Sequence, residues 1–342
     1  MSQQRKSVRV VIVNWRTPLL TERAARSLWP QLRAGDELVV VDNASANADP
    51  HDNSLDHLRR LGAKLGSAGP ARFGLVQARR NGGFGYGVNL GARNLRQDAL
   101  VLLNSDAYAL EGFVEALTAP LGHDLVEATT ARLLLEGRWR LVGDGVEAQT
   151  EPAATTQSTG SAQLRGLDGG IWVSDPSGVE LINSTGNVVD ACGNGYDRSW
   201  LAPAKQEHDS PEVFGICGGA CAISARAWRQ LGGMRQDLFM YYEDTDFSYR
   251  LRRAGYSVEY VRQAQARHAH AASSDSASEA FTTWNTRNRL RVATRYAPAS
   301  VAVRALVNTG GRMLLGPQRQ ARAQGLVQAL AHAPQDLYAR IG

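Results

Sequence analysis

Residues 8–14 read VRVVIVN and residues 37–41 read ELVVV, with a proline-opened amphipathic stretch between them. Runs this short, this apolar and this rich in β-branched side chains mark parallel strands covered on both faces. Thr17 and Pro18 supply a cap and a first-turn residue, and Leu20, Ala24, Ala25 and Leu28 give the intervening helix one apolar stripe. Gly35 and Asp36 then turn the chain into the second strand. Strand, helix, strand in that order predicts an α/β fold on a mostly parallel sheet flanked by helices. Such sheets bind ligands beyond the carboxyl ends of their strands. The residues that follow each strand are therefore where chemistry is expected.

The second strand ends in Asp42, Asn43, Ala44 and Ser45. Asp42 there is either a turn cap or a ligand carboxylate, and the cap is the commoner use. A third strand, Phe73 to Ala78, runs into Asn81-Gly82-Gly83-Phe84-Gly85-Tyr86-Gly87. Four glycines in six residues demand a sharp bend or a close approach to a ligand. A helix from near Val88 would aim its free amides at an anion. No G-x-G-x-x-G register fits, which sets an NAD-dependent oxidoreductase aside. A fourth strand, Ala99 to Leu103, ends in Asn104-Ser105-Asp106 and brings another carboxylate to the same edge. Mg²⁺ or Mn²⁺ bridging two phosphates needs only one or two protein carboxylates.

The most concentrated acidic stretch is residues 239–250, FMYYEDTDFSYR. Glu243, Asp244 and Asp246 follow directly on Phe239, Tyr241 and Tyr242, and a carboxylate desolvated by aromatics must find a cation, a metal or a proton. Helix entry is the structural use of such a cluster. Both uses fit: Asp246 as a cap, with Glu243 and Asp244 on the loop before the helix. Upstream, residues 143–166 read as a connector, and residues 169–214 as a small β excursion with pieces at 171–173, 180–183 and 188–189. Downstream, a strand at 257–262 precedes RHAHAASS at 267–274, where His268 and His270 stand two apart in a loop suited to a metal or a phosphate.

The 342 residues carry a net charge of +5 and three cysteines, too few for a disulfide framework. Cys192, Cys217 and Cys221 read as reduced core thiols. The opening MSQQRKS and the short apolar run after it make neither a signal nor a membrane span, so a cytoplasmic protein is expected. Arg287, Arg289, Arg291, Arg295, Arg304 and Arg312 concentrate charge in the last third, which suggests an anionic ligand or membrane surface there. A nucleic-acid binder would interleave arginine with exposed aromatics on one face. The aromatics here lie mostly in apolar runs, so no nucleic-acid partner is expected.

Four segments in this order resemble an inverting family-two nucleotide-sugar glycosyltransferase with the GT-A fold: VVIVNW with VVVDNAS, NGGFGYGVNLG, LLNSD, and GGACAISARAWRQLGGMRQDLFMYYEDTDFSYRLRRAGY with a trailing histidine. The likeness runs from about Val8 to Tyr296. INSTGNVVDACGNGYDR and EVFGICGGA bring it nearest the rhamnosyltransferase-like branch. The resemblance implies a GT-A domain over residues 1–296, with a nucleotide-binding half at 1–110, an acceptor and catalytic half at 165–296, and a helical extension at 297–342. By position, Asp42 with Asn43 would hold a pyrimidine base. Asn81, Gly82, Gly83, Phe84 and Gly85 would flank the nucleotide and sugar. Asn104, Ser105 and Asp106 stand in the D-x-D place, and His268 matches a metal-ligand histidine. Asp244 matches the general base, with Glu243 beside it, and Tyr242, Arg287 and Asn288 fall on the acceptor side. Two departures stand out: Asn104 replaces the first signature aspartate, and Met234-Arg235-Gln236 replaces the usual Phe-Asp-Glu.

The expected reaction is transfer of a sugar from a pyrimidine nucleoside diphosphate, first choice dTDP-rhamnose, to an acceptor hydroxyl with inversion. Asp244 would take the hydroxyl proton, and Asp106, His268 and a divalent cation would stabilise the leaving phosphate. A UDP-hexose transferase and a catalytically silent nucleotide-sugar binding module are the alternatives. The acceptor class stays open between a glycan, a lipid-linked saccharide and a small molecule. Val301, Ala305, Leu306, Met313, Leu314 and Leu315 with Arg304, Arg312, Arg319 and Arg322 form a basic amphipathic pattern, suited either to peripheral contact at the inner face of a membrane or to an ordinary packing helix, a homodimer contact being one form of the latter.

Overall fold

The computed structural model describes residues 5–143, 163–166, 169–269 and 278–341. Strand β1 (Val8–Asn14) leads through α1 (Pro18–Leu28) to β2 (Glu37–Asp42). Helices α2 (Ser45–Ala48) and α3 (Ser54–Gly66) precede β3 (Arg72–Gln77), and α4 (Phe84–Gly91) precedes β4 (Ala99–Leu103). Then come β5 (Ala107–Ala109), α5 (Phe113–Thr118) and β6 (Val126–Leu135). The excursion holds β7 (Trp139–Gly143), β8 (Gln163–Arg165), β9 (Ile171–Ser174), β10 (Ile182–Ser184), β11 (Asn187–Val189), β12 (Gly195–Asp197) and β13 (Glu212–Val213). The chain returns to the core with β14 (Ala220–Ser224), α6 (Ala225–Leu231), α7 (Glu243–Arg253) and β15 (Ser257–His268), and ends in α8 (Glu279–Tyr296), α9 (Ala299–Leu315) and α10 (Arg319–Ile341).

The main sheet runs β13-β15-β6-β14-β4-β1-β2-β3. Pairings β1–β2, β1–β4, β2–β3 and β6–β15 are parallel, and β14 runs antiparallel between β4 and β6. Side-chain alternation divides the core into two layers. Val8, Val10 and Ile12 of β1 pack with Ala24, Leu58, Leu61 and Phe113 on the α1/α3/α5 side. Val11 with Val39 and Val41 packs against Val88, Trp228, Phe247 and Leu251 on the α4/α6/α7 side.

The structure corrects the sequence reading in several places. Strand β6 was not anticipated, yet it lies inside the sheet with nine of its ten residues buried. Helix α4 begins at Phe84 rather than near Val88. The first amide of that helix does not point at free space, because Phe84 N–H donates to Phe239 O at 3.0 Å. His268 is the last residue of β15, not part of a loop, after a register shift between Val261 and Gln265. His270 and most of the 143–166 connector lie outside the described residues.

The arginines of the last third are not an anionic-surface patch. Arg289 and Arg291 are buried, with Arg291 paired to Asp336 and Asp237. Arg295 also reaches Asp336, and Arg304 and Arg312 bond Ala191 O and the Asn194 side chain. Burial of the helices against the core drew Arg289 and Arg291 inward, where side-chain oxygens satisfy them, while Arg304 stays exposed. Of the residues in the expected amphipathic pattern, Ala305 and Arg322 are buried. No described helix is long and apolar enough to cross a membrane.

Candidate active site

The carboxyl ends of β1, β2 and β4 converge with the start of α7 and the end of β15. Asp106 follows β4 in a tight turn closed by Ala107 N–H to Asn104 O at 3.1 Å, and it is 4% exposed. Antiparallel pairing sets His268 opposite Ala107. That pairing, which sequence spacing alone does not contain, brings His268 Nε2 to 2.8 Å from Asp106 Oδ1. Its other ring nitrogen, Nδ1, lies 2.7 Å from Asn183 Oδ1 on β10. Burial opposes a charge on His268, but the Asp106 carboxylate and, beyond it, Asp197 raise its pKa above the ordinary histidine value. Asn104 N–H is held by Gly219 O, and Thr17 Oγ1 donates to Ser105 Oγ at 3.3 Å.

Among the described residues no three His, Cys, Asp or Glu side chains converge as a metal cage. The donor set of Asp106 and His268 still fits a divalent ion that takes its remaining ligands from phosphate and water. A second-nitrogen bond such as His268–Asn183 is the usual way a ligating imidazole is oriented.

On the nucleotide side, Asp42 is buried and already engaged. Its Oδ1 accepts from Asn14 Nδ2 at 2.9 Å and Ser45 Oγ at 2.6 Å, while Oδ2 receives only Ser45 N–H at 3.3 Å. The structure thus displays the turn-cap use of Asp42. Asn43 ties the glycine loop down, donating to Asn81 Oδ1 and Gly83 O. The loop presses on residue 239 so closely that a Cβ on Gly83 would lie 1.7 Å from Phe239 O, at a φ of +84°. Only glycine fits there.

Helix α7 begins at Glu243, so Glu243 and Asp244 occupy its first turn and not the preceding loop. Asp246 is no cap. It is fully buried, and its carboxylate meets Arg250 Nε at 2.8 Å and Arg235 at 3.4 Å. Arg235, the departure noted in sequence, therefore serves an internal ion pair. Of the three acids Asp244 alone keeps some exposure. Gly218 N–H donates to its Oδ2 at 3.0 Å and Thr245 N–H to its Oδ1 at 2.7 Å. Burial raises its pKa despite these donors.

Glu243 is buried, its Oε2 has no hydrogen-bond partner, and burial with the neighbouring Asp244 pushes its pKa up to about 8. The folded state thus holds a proton on Glu243 that the unfolded chain gives up. Stability should therefore fall as pH rises from about 4.5 through about 8, the reverse of a salt-bridged carboxylate. Glu243→Gln should flatten that part of the melting-temperature profile. An unchanged slope in the variant would show that Glu243 is ionised in the fold.

The residues expected at the acceptor serve the backbone beneath it. Asn288 is fully buried, and its Nδ2 faces Leu238 O, Met240 O and Tyr241 O at 2.8–2.9 Å. Arg287 bonds Leu238 O and Asn288 Oδ1. Phe239, Tyr241 and Tyr242 all have left-handed φ of 65–69°, a costly conformation for aromatic residues that these bonds hold in place. The Tyr242 hydroxyl accepts from Gly195 N–H at 2.9 Å, within the core. Removal of the Asn288 amide takes a buried donor from each of those carbonyls, with Leu238 O keeping Arg287. Asn288→Ala should lower stability by ~1–3 kcal/mol and, by loosening the base of α7, lower turnover too. A melt and a rate indistinguishable from the parent would contradict this.

Sequence reasoning missed two residues at this edge, Asn183 and Asp197. Both lie in strands too short for any periodicity to place them. Two surface clefts, of about 480 and 640 Å³, are lined by residues other than Asp106, Asp244 and His268. The site is defined by chemistry rather than by cavity size.

A mixed sheet of this order, with a carboxylate after β4, a histidine ending β15 and an acidic turn opening α7, is a GT-A glycosyltransferase fold. Solved structures agree on that fold. The mannosyltransferase PcManGT from Pyrobaculum calidifontis, in complex with GDP-Man and Mn²⁺, superposes with TM-score 0.52 over 96% of this chain and 76% of its own, at 15% identity. GalNAc-T7 with UDP, GalNAc and Mn²⁺ gives TM-score 0.57 over 99% of this chain and 58% of its own, at 14% identity. In sequence, the chain is similar to the N-acetylglucosaminyl-diphospho-decaprenol L-rhamnosyltransferase of Mycobacterium tuberculosis, 33% identical over 121 residues. That match spans 34% of this chain and only 39% of the relative's length. No protein-family model matches the chain.

Proposed function

We propose that the protein transfers a sugar from a pyrimidine nucleoside diphosphate to an acceptor hydroxyl with inversion at the anomeric carbon. The observation that carries this reading is the division of labour at one sheet edge: a partly exposed Asp244 held by two backbone amides, and a buried Asp106–His268 pair. Asp244 takes the proton of the attacking hydroxyl, its raised pKa making it a better base than an ordinary aspartate. Asp106 and His268 would hold a divalent cation, Mg²⁺ or Mn²⁺, which when bound neutralises charge on the diphosphate leaving group. Asn183 fixes the ring of His268 for that task. The glycine loop, pinned between Asn43 and residue 239, shapes the nucleotide side. Asp42 is proposed to meet the ring N–H of the base through Oδ2, the oxygen with the weaker internal bond.

The M. tuberculosis relative supports dTDP-rhamnose as the first donor to test and a prenyl-diphosphate-linked N-acetylglucosamine as the first acceptor. A lipid-borne acceptor also suits the exposed Val303, Val307, Leu314 and Leu315 of α9, apolar surface that would rest on a membrane from the cytoplasmic side.

A thermal-shift screen of nucleotide sugars with Mn²⁺ present tests the function. A donor at a hundred times its dissociation constant should add ~2.7 kcal/mol of stability. Stabilisation by pyrimidine but not purine nucleotides is expected. The reverse pattern would remove the proposed role of Asp42, and no stabilisation by any nucleotide sugar would remove the reading.

A further inference from the structure

We infer that Asp197 is an acceptor-binding residue whose carboxylate receives a ring hydroxyl of the acceptor other than the one that attacks, and so selects polyhydroxylated sugar acceptors. The inference rests on the glycosyl-transfer reading above.

Placement comes first. β11 and β12 form an antiparallel hairpin with Asp197 opposite Asn187. Gly195 and Asp197 share one face of β12, because side chains alternate along a strand. That face looks at the start of α7: a Cβ on Gly195 would lie 3.0 Å from Thr245 Oγ1 and 3.3 Å from the Tyr242 ring. Asp197 is thereby turned towards the helical turn that carries Asp244.

The surroundings of Asp197 differ from those of the buried acids elsewhere. Glu37 pairs with Arg9, Glu207 with Arg132 and Asp336 with Arg291. Among the described residues no arginine or lysine pairs with Asp197. Ser184 and Cys217 neighbour its carboxylate, and the charges of Asp244 and His268 act on it. Burial, with Asp244, raises its pKa to about 6 against the opposing charge of His268, so near neutral pH it is mostly an anion with no arginine or lysine paired to it among the described residues. Such a group gains from further O–H donors, and a sugar hydroxyl supplies one without adding charge beside Asp244.

The hairpin is also held rigidly. Arg289 on α8 donates to Asn194 Oδ1 at 2.8 Å, Arg304 on α9 to Ala191 O at 2.9 Å, and Gly195 N–H to the Tyr242 hydroxyl at 2.9 Å. The C-terminal helices thus fix the strand that presents Asp197. A binding residue needs this kind of support.

The test uses the full chain, dTDP-rhamnose or whichever donor the screen selects, and the prenyl-linked N-acetylglucosamine probe with its mono-deoxy analogues. Asp197→Asn should raise the acceptor KM by about 10-fold, a larger loss than any it causes in donor KM or in slow donor hydrolysis by water. One mono-deoxy acceptor should cost the parent what the substitution costs, and should cost Asp197→Asn nothing further. Asp197→Ala, checked by its melting temperature, separates binding from folding. Unchanged acceptor KM in Asp197→Asn overturns the inference. So does an equal loss of donor hydrolysis and transfer, which would mark a structural or donor role. If the parent protein neither binds nor turns over any nucleotide sugar, the glycosyl-transfer reading fails and this inference with it.

Discussion

Asp244→Asn is expected to leave the fold and donor binding intact while lowering turnover by ~10²-fold or more, the usual scale for loss of a general base. The substitution preserves size and keeps one oxygen, enough for one of the Gly218 and Thr245 amides, which bond different carboxylate oxygens of Asp244. It removes the capacity to take a proton and one of the two amide contacts. Glu243 is a poor substitute, since it is buried with no hydrogen-bond partner on Oε2, and burial is the larger cause of its raised pKa. Asp246 cannot either, because Arg235 and Arg250 occupy its oxygens. The pH profile gives an independent check. Burial raises the Asp244 pKa, so the acid limb of kcat/KM should lie above the ordinary aspartate range and disappear in the variant. Turnover within a few-fold of the parent would move the base elsewhere.

Asp106→Ala is expected to abolish the tightening of nucleotide binding by Mn²⁺ and to bring transfer close to background. Asp106 is the carboxylate partner of His268, and no third acid or cysteine among the described residues completes a cage. If Asp106 and His268 are the two protein ligands proposed, loss of one cannot be made good locally. Asn183→Ala should be milder, weakening the metal by about 10–100-fold, the scale for groups that orient a ligand. Calorimetry of donor binding with and without Mn²⁺ reads both effects. Full activity of the parent in excess EDTA would contradict the metal role.

The strand runs and the glycine loop were legible because the local sequence states their structure. VRVVIVN and ELVVV have nothing else to become, and Gly82, Gly83, Gly85 and Gly87 announce a bend. Strand β6 was not legible. Its sequence, VEATTARLLL, is rich in helix formers, and only burial between β14 and β15 makes it a strand. The site was half legible. Asp106 and Asp244 stood out from their positions at element ends. The Asp106–His268 contact depends on an antiparallel pairing across 162 residues. Asn288 resembled a ligand residue because its actual partners, three carbonyls of a strained turn, leave no trace in composition. The arginines of the last third carried their charge plainly, but their destination was set by packing: Asp336, fully buried on α10, collects Arg291, Arg295 and Arg235.

The central claim is a single displacement with one base, and the stereochemistry of the product tests it most directly. Proton NMR of the first sugar formed, on the prenyl-linked probe or on water before mutarotation, should show the anomeric configuration opposite to that of the nucleotide donor. Retention of the donor configuration would contradict the account, because it would require a second displacement that Asp244 alone does not provide.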